Sequence, residues 1–114
     1  MKGNEKMSKE QKKELFKAID ECIGCDYNPE YLDPDELLTP EQSKLFYEFT
    51  DEGVELFYEA VANFFEMNPE IYKEYIKEAK EYFCVEFRDE GEDEIKELFP
   101  EPYKILKKYD FLTF

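Results

Sequence analysis

Three helix-start signals, each followed by apolar residues at helical spacing, constrain this chain more than any other feature. Ser8 and Gln11 form a capping box, in which the serine accepts from a free backbone N–H and the glutamine reaches back to the cap. Thr39-Pro40-Glu41-Gln42 adds a first-turn proline, which has no N–H to leave unsatisfied, to the same pattern. Asn68-Pro69 caps and opens a third segment. The apolar residues between these points recur every three to four positions, as a helix face requires.

The first segment therefore predicts a helix to about residue 23 that buries Leu15, Phe16, Ile19, Cys22 and Ile23, with Gly24 supplying a left-handed end. Residues 1–7 read as a flexible tail and 8–114 as a single helical domain. A connector broken by Pro29 and Pro34 follows, and Asp33-Pro34 has the form of one helical turn. In the second segment the doubtful point is Thr50-Asp51-Glu52-Gly53. On a wheel of 100° steps Phe46, Phe57 and Phe64 lie within about 20° of one another, with Ala60 and Val61 beside them. That phase continuity favours one long central helix over about 40–66, at a cost of about 1 kcal/mol for the glycine. The third helix is expected to reach about residue 84 and to bury Tyr72, Tyr75, Ile76, Ala79 and Phe83. Short C-terminal helices over 94–99 and 103–109 are punctuated by Pro100 and Pro102, and the apolar end after Asp110 tucks onto the body. A strand pair between 85–87 and that end is the weaker alternative. The fold class is all-α, a small antiparallel helical bundle.

Charge is distributed unevenly over this frame. Residues 26–66 hold twelve carboxylates and one lysine, Lys44, which is −11 of the net −15 of the 114-residue chain. Such a balance repels nucleic acid and anionic lipid, so direct nucleic-acid or membrane binding is not expected, and a basic protein surface is the natural partner. Oligomeric state is left open. If 40–66 is one helix, Glu41, Glu48, Glu52, Glu55, Glu59 and Glu66 fall within about 60° of one another, opposite the phenylalanines. Like charges at these spacings repel by a few tenths of a kcal/mol per pair. The following helix, in which Glu70, Lys73, Glu74, Lys77, Glu78, Lys80 and Glu81 alternate in sign, shows that this chain composes balanced faces elsewhere. The bland reading is a merely solvated face.

Neighbouring carboxylates on such a ridge would stand about 5–6 Å apart, near the spacing of phosphates on one strand. Their linear density, one per roughly 6 Å, is about a quarter of the one per 1.7 Å of duplex DNA. A nucleic-acid decoy would therefore need a second acidic row, from Asp33, Asp35, Glu36 and Asp51 or from the 89–97 cluster. In composition alone the chain resembles the phage and plasmid inhibitors that occupy nucleic-acid sites on restriction or CRISPR enzymes. No motif identifies one of those families, and the resemblance implies only a non-catalytic inhibitor type. Tyr27, Tyr31, Tyr47 and Tyr58 interleave the acidic stretch and are candidate contact residues, as are Phe49 and Phe65, although core packing is the commoner fate of such side chains.

Enzyme chemistry finds little support. Histidine is absent, which removes Ser-His-Asp, Cys-His and Glu-x-x-His constellations, and a single arginine with no glycine-rich loop gives nucleotides no cradle. No cofactor is implied. Residues 26–37 fail as a calcium loop, with Tyr31 in place of the glycine and Leu37 in place of the bidentate glutamate. Cys22-Ile23-Gly24-Cys25 places a C-x-x-C at a helix C-terminus, the wrong pole to stabilise a thiolate. With Cys84 it offers three of the four ligands that structural zinc requires, so a metal-stabilised or redox-sensing domain is one alternative reading. The bland reading makes Cys22 and Cys84 core residues. A structural or oligomerising bundle is the other alternative. Met1 to Lys13 is polar, without the apolar core of a signal peptide, no apolar run is long enough to span a membrane, and three cysteines suit a reduced compartment, so the expected location is cytoplasmic.

Overall fold

Both capping boxes form. Ser8 Oγ accepts from the Gln11 N–H at 3.2 Å while the Gln11 side chain accepts from the Ser8 N–H at 2.8 Å, and Thr39 and Gln42 repeat the exchange at 3.2 and 3.1 Å. The computed structural model describes residues 7–24, 29–89 and 91–112. Among these the chain makes α1 (Lys9–Ile23), a 3₁₀ turn (Glu30–Leu32), α2 (Pro34–Leu37), α3 (Pro40–Tyr47), α4 (Asp51–Met67), α5 (Pro69–Glu86), α6 (Glu92–Leu98) and α7 (Pro100–Lys108). The fold is all-α, with no strand among the described residues.

The long helix over 40–66 does not form. After Tyr47 the backbone turns through Phe49, whose φ of 61° is left-handed. The Phe49 N–H then bonds the Phe46 carbonyl at 3.0 Å and the Thr50 N–H bonds the Leu45 carbonyl at 3.3 Å. These are the two reversed bonds of a Schellman closure, with phenylalanine standing where glycine is usual. Thr50 at once caps α4. Its hydroxyl accepts from the Gly53 N–H at 2.9 Å and donates to the Leu45 carbonyl at 3.1 Å. A threonine cap followed by two acidic first-turn residues is a stronger local instruction than continuation of an apolar phase. Phase continuity misled because Phe46 and Phe57 share a wheel position for another reason. In one helix they would lie about 16 Å apart along the axis. Here α3 folds back and their rings meet with centroids 4.8 Å apart.

The core is aromatic and centres on Phe16 of α1, whose ring meets Phe57, Tyr58, Phe65 and Tyr75 at 5.6–6.1 Å. α1 packs between α4 and α7. It runs antiparallel to α4, as Lys9 reaches Asn63 and Glu59 while Lys13 reaches Glu59 and Glu55. Asp110, with φ 55°, repeats the left-handed closure after α7, and it drops Phe111 and Leu112 into the core. The expected tucking of the end thus holds for these two residues, and 113–114 lie outside the described ones.

Several boundaries move. Gly24 ends α1 in a right-handed conformation, φ −59°, with its N–H on the Asp20 carbonyl. α5 continues through Val85 and Glu86, where a strand was the alternative. Pro100 opens α7, and Pro102 is buried in its first turn, because a proline costs nothing where no N–H is used. Of the expected tail, 1–6 lie outside the described residues, and Met7 is buried, its sulfur within 3.5 Å of the Tyr72 hydroxyl. No helix among the described residues is long and apolar enough to cross a membrane.

Candidate functional site

The six glutamates expected on one ridge divide into two groups. Glu55, Glu59 and Glu66 face α1, where the capping box at Ser8 fixes a lysine-rich first turn against α4. Lys9 pairs with Glu59 at 2.7 Å, Lys13 bridges Glu55 and Glu59, and Lys12 lies 3.5 Å from Glu66. Hydrogen bonds from Lys9 and then Lys13 hold the Glu59 carboxyl below its ordinary range, and the bond to Glu55 is the main cause that raises Lys13. These three carboxylates are therefore neutralised within the molecule and do not form an open anionic edge. No local pattern marks this pairing, because the lysines that match them lie some fifty residues away in the chain.

Glu41, Glu48 and Glu52 remain exposed, and with Asp51, Asp33, Asp35 and Glu36 they occupy α2, α3 and the first turn of α4, which pack on one another. None of the seven forms an ion pair among the described residues. Asp33 caps α2 by accepting from the Asp35 N–H at 3.0 Å, and Asp35 accepts from the Ser43 hydroxyl at 2.9 Å, which ties α2 to α3. Two exposed aromatics stand at the same corner, Tyr47 at 52% and Phe49 at 82% exposure. Partial burial raises the Tyr47 hydroxyl above its ordinary value, and the charges of Asp35 and Asp33 add to the effect.

Below this corner an open cleft of about 830 Å³ separates the 3₁₀ turn and α2 from the α3–α4 turn. Its lining takes Phe46, Tyr47, Phe49 and Phe57 from α3, the following turn and α4, Glu30, Asp33 and Glu36 from the 3₁₀ turn and α2, and Phe16, Asp20 and Tyr75 from α1 and α5. No lysine or arginine is among the described residues that line it. Asp20 accepts a hydrogen bond from the Tyr58 hydroxyl at 3.0 Å. Burial raises its carboxyl above the ordinary 3.8, Glu21 adds to the effect, and the tyrosine bond opposes it. The fold thus disfavours the charged form, so Asp20 favours folding most below pH 3.8 and progressively less as pH rises through its folded value. Asp20→Asn is accordingly expected to raise the melting temperature near neutral pH. The gain should vanish below pH 3.8, where the native aspartate is also uncharged. Parallel thermal melts at the two pH values would decide it, and a variant less stable than the parent at neutral pH would refute the assignment.

Sequence reasoning missed both the cleft and Asp20, since neither leaves a local pattern. Its assignment of Tyr58 to a contact surface is corrected. The ring is 5% exposed and packed on Phe16, with its hydroxyl committed to Asp20. Phe65 likewise belongs to the core. Tyr31 stacks on Phe64 with centroids 5.9 Å apart, and Tyr27 lies outside the described residues. Tyr58 and Phe65 both lie on the buried face of α4, with Phe57, Val61 and Ala62.

The cysteines do not assemble among the described residues, where no cluster of metal-ligating side chains is present, and Cys25 lies outside them. Cys22 is half-buried, and burial pushes its thiol up to about 12, which leaves it unreactive near neutral pH. Cys84 is exposed on α5, not in the core as the bland reading had it, because its neighbour Phe83 takes the buried position. Comparison with protein-family models, with curated proteins and with solved structures returned no match.

Proposed function

We propose that this chain is a non-catalytic binding protein whose acidic corner, not a ridge along α4, docks on a basic surface of a protein partner. One observation carries the reading. Seven exposed carboxylates at α2, α3 and the start of α4 lack an ion pair among the described residues, while the lysines of α1 neutralise the carboxylates farther along α4. Charge placed this way speeds and steers encounter, and the neighbouring Tyr47 and Phe49 offer apolar contact once the surfaces meet. A regular row imitating a nucleic-acid backbone has no support in this arrangement, because the turn at Phe49 interrupts it and three of its members are matched by lysines.

An oligo-arginine peptide titrated by calorimetry at several salt concentrations tests the reading. Glu36, Glu48 and Glu52 changed together to Gln should weaken binding at least tenfold and flatten its salt dependence. The same loss of charge on α5, with Glu70, Glu74 and Glu81 changed to Gln, should leave affinity within about twofold if the corner is the site. Equal weakening by the two triple variants would mean that bulk charge alone attracts the peptide, and the docking face would be abandoned.

A further inference from the structure

The acidic corner says where a basic partner would approach, and the cleft beneath it says what would enter. We propose that the cleft between the 3₁₀ turn and the α3–α4 turn is a receptor for a single arginine side chain of that partner; the proposal rests on the docking reading and specifies its anchor.

Three features select a guanidinium. The aromatic lining includes two exposed rings, Tyr47 and Phe49, beside the half-buried Phe46, and a planar cation stacks on such rings. The 3₁₀ turn and α2 add Glu30, Asp33 and Glu36 to the lining, with no cation of this chain among the described lining residues to compete. Asp20 also lines the cleft, a partly buried carboxyl group whose hydrogen-bond partner among the described residues is the neutral Tyr58 hydroxyl. Burying a carboxylate without a cation is unfavourable, and an incoming guanidinium supplies the missing charge with directed N–H donors. Lysine would satisfy the charge but not the planar stacking, so it should bind less well. Phe49 fits the same purpose. Its left-handed backbone holds a phenylalanine at 82% exposure on the rim, a conformation that costs energy and contributes nothing to the core.

The test uses the intact protein and acetyl-arginine amide, followed by NMR shifts, in salt high enough to screen the outer carboxylates. Saturable shifts at Asp20, Phe46, Tyr47 and Phe49, with a dissociation constant in the low-millimolar range, are expected. Acetyl-citrulline amide, equal in shape and uncharged, should bind at least tenfold more weakly. Asp20→Asn, which keeps an acceptor for Tyr58, should weaken arginine at least tenfold. Phe49→Gly, at an exposed position that folding does not need, should weaken it severalfold. Shifts that do not saturate, citrulline binding equal to arginine, or unchanged affinity in both variants would overturn the cleft. Because the outer charges are screened, that failure stands apart from a failure of the docking face, which the oligo-arginine titration reads at low salt.

Discussion

Gly53→Ala is expected to destabilise the protein by about 3 kcal/mol, lowering the melting temperature by roughly 10–20 °C. At an open helical site the same change would stabilise by up to about 1 kcal/mol, since alanine has the better helix propensity and restricts the unfolded chain. The sign therefore decides the geometry. A Cβ on Gly53 would meet the backbone of α3: the Leu45 carbonyl carbon and oxygen and the Phe46 nitrogen, all within 2.4 Å. Backbone atoms cannot rotate aside as a side chain would, so the junction must open, and with it the pairing of Phe46 on Phe57. Thermal and urea denaturation of the purified variant would measure the loss. A melting temperature equal to or above that of the parent would show that α3 and α4 do not cross at this glycine.

A second large effect separates two phenylalanines that the apolar pattern alone treats alike. Phe65→Ala should cost about 4 kcal/mol, because its ring is fully buried among Phe16, Tyr72 and Tyr75 and its loss leaves a cavity. Phe49→Gly should instead raise stability by about 0.5–1 kcal/mol. Relief of the left-handed strain is worth about 1–2 kcal/mol, and the extra freedom of glycine in the unfolded chain returns part of it. The pair is read from the same denaturation curves. Comparable losses in both variants would place Phe49 in the core and contradict the turn at residue 49.

α1, α2 and α3 were readable because their starts are local: Ser8 with Gln11, Asp33 with Pro34, and Thr39 with Gln42 each act within three residues. α5 opens at Pro69 as expected, but Asn68 does not cap it with its side chain, whose amide donates instead to the Phe64 carbonyl at 2.9 Å. The apolar positions Leu15, Phe16, Ile19 and Ile23, and Tyr72, Tyr75, Ala79 and Phe83, followed from period alone. α4 was the failure. The signal that starts it, Thr50 with Asp51, Glu52 and Gly53, is local, but the apolar phase runs through it unbroken and points to a single helix. A helical wheel records angle and discards direction, so it cannot distinguish one long rod from two helices folded on each other.

The site was less legible than the fold. Asp33, Asp35, Glu36, Glu41, Glu48, Asp51, Glu52 and Tyr47 are exposed as their charge and position suggested, while Glu55, Glu59, Glu66 and Tyr58 are occupied by contacts within the chain. Nothing local marks that difference, since the partners of these four residues all come from α1, at separations of 38 to 54 positions where an interaction fixes the count.

The sequence by itself determined the helical class, most helix starts and the net anionic charge, because capping, period and ionisation are properties of short segments. Only the tertiary structure decided which carboxylates stay unmatched, that Asp20 meets Tyr58, and that a cleft opens beneath Phe49. Those outcomes depend on α3 doubling back across Gly53 and on α1 lying along α4, and the energy that selects such crossings resides in contacts between distant residues.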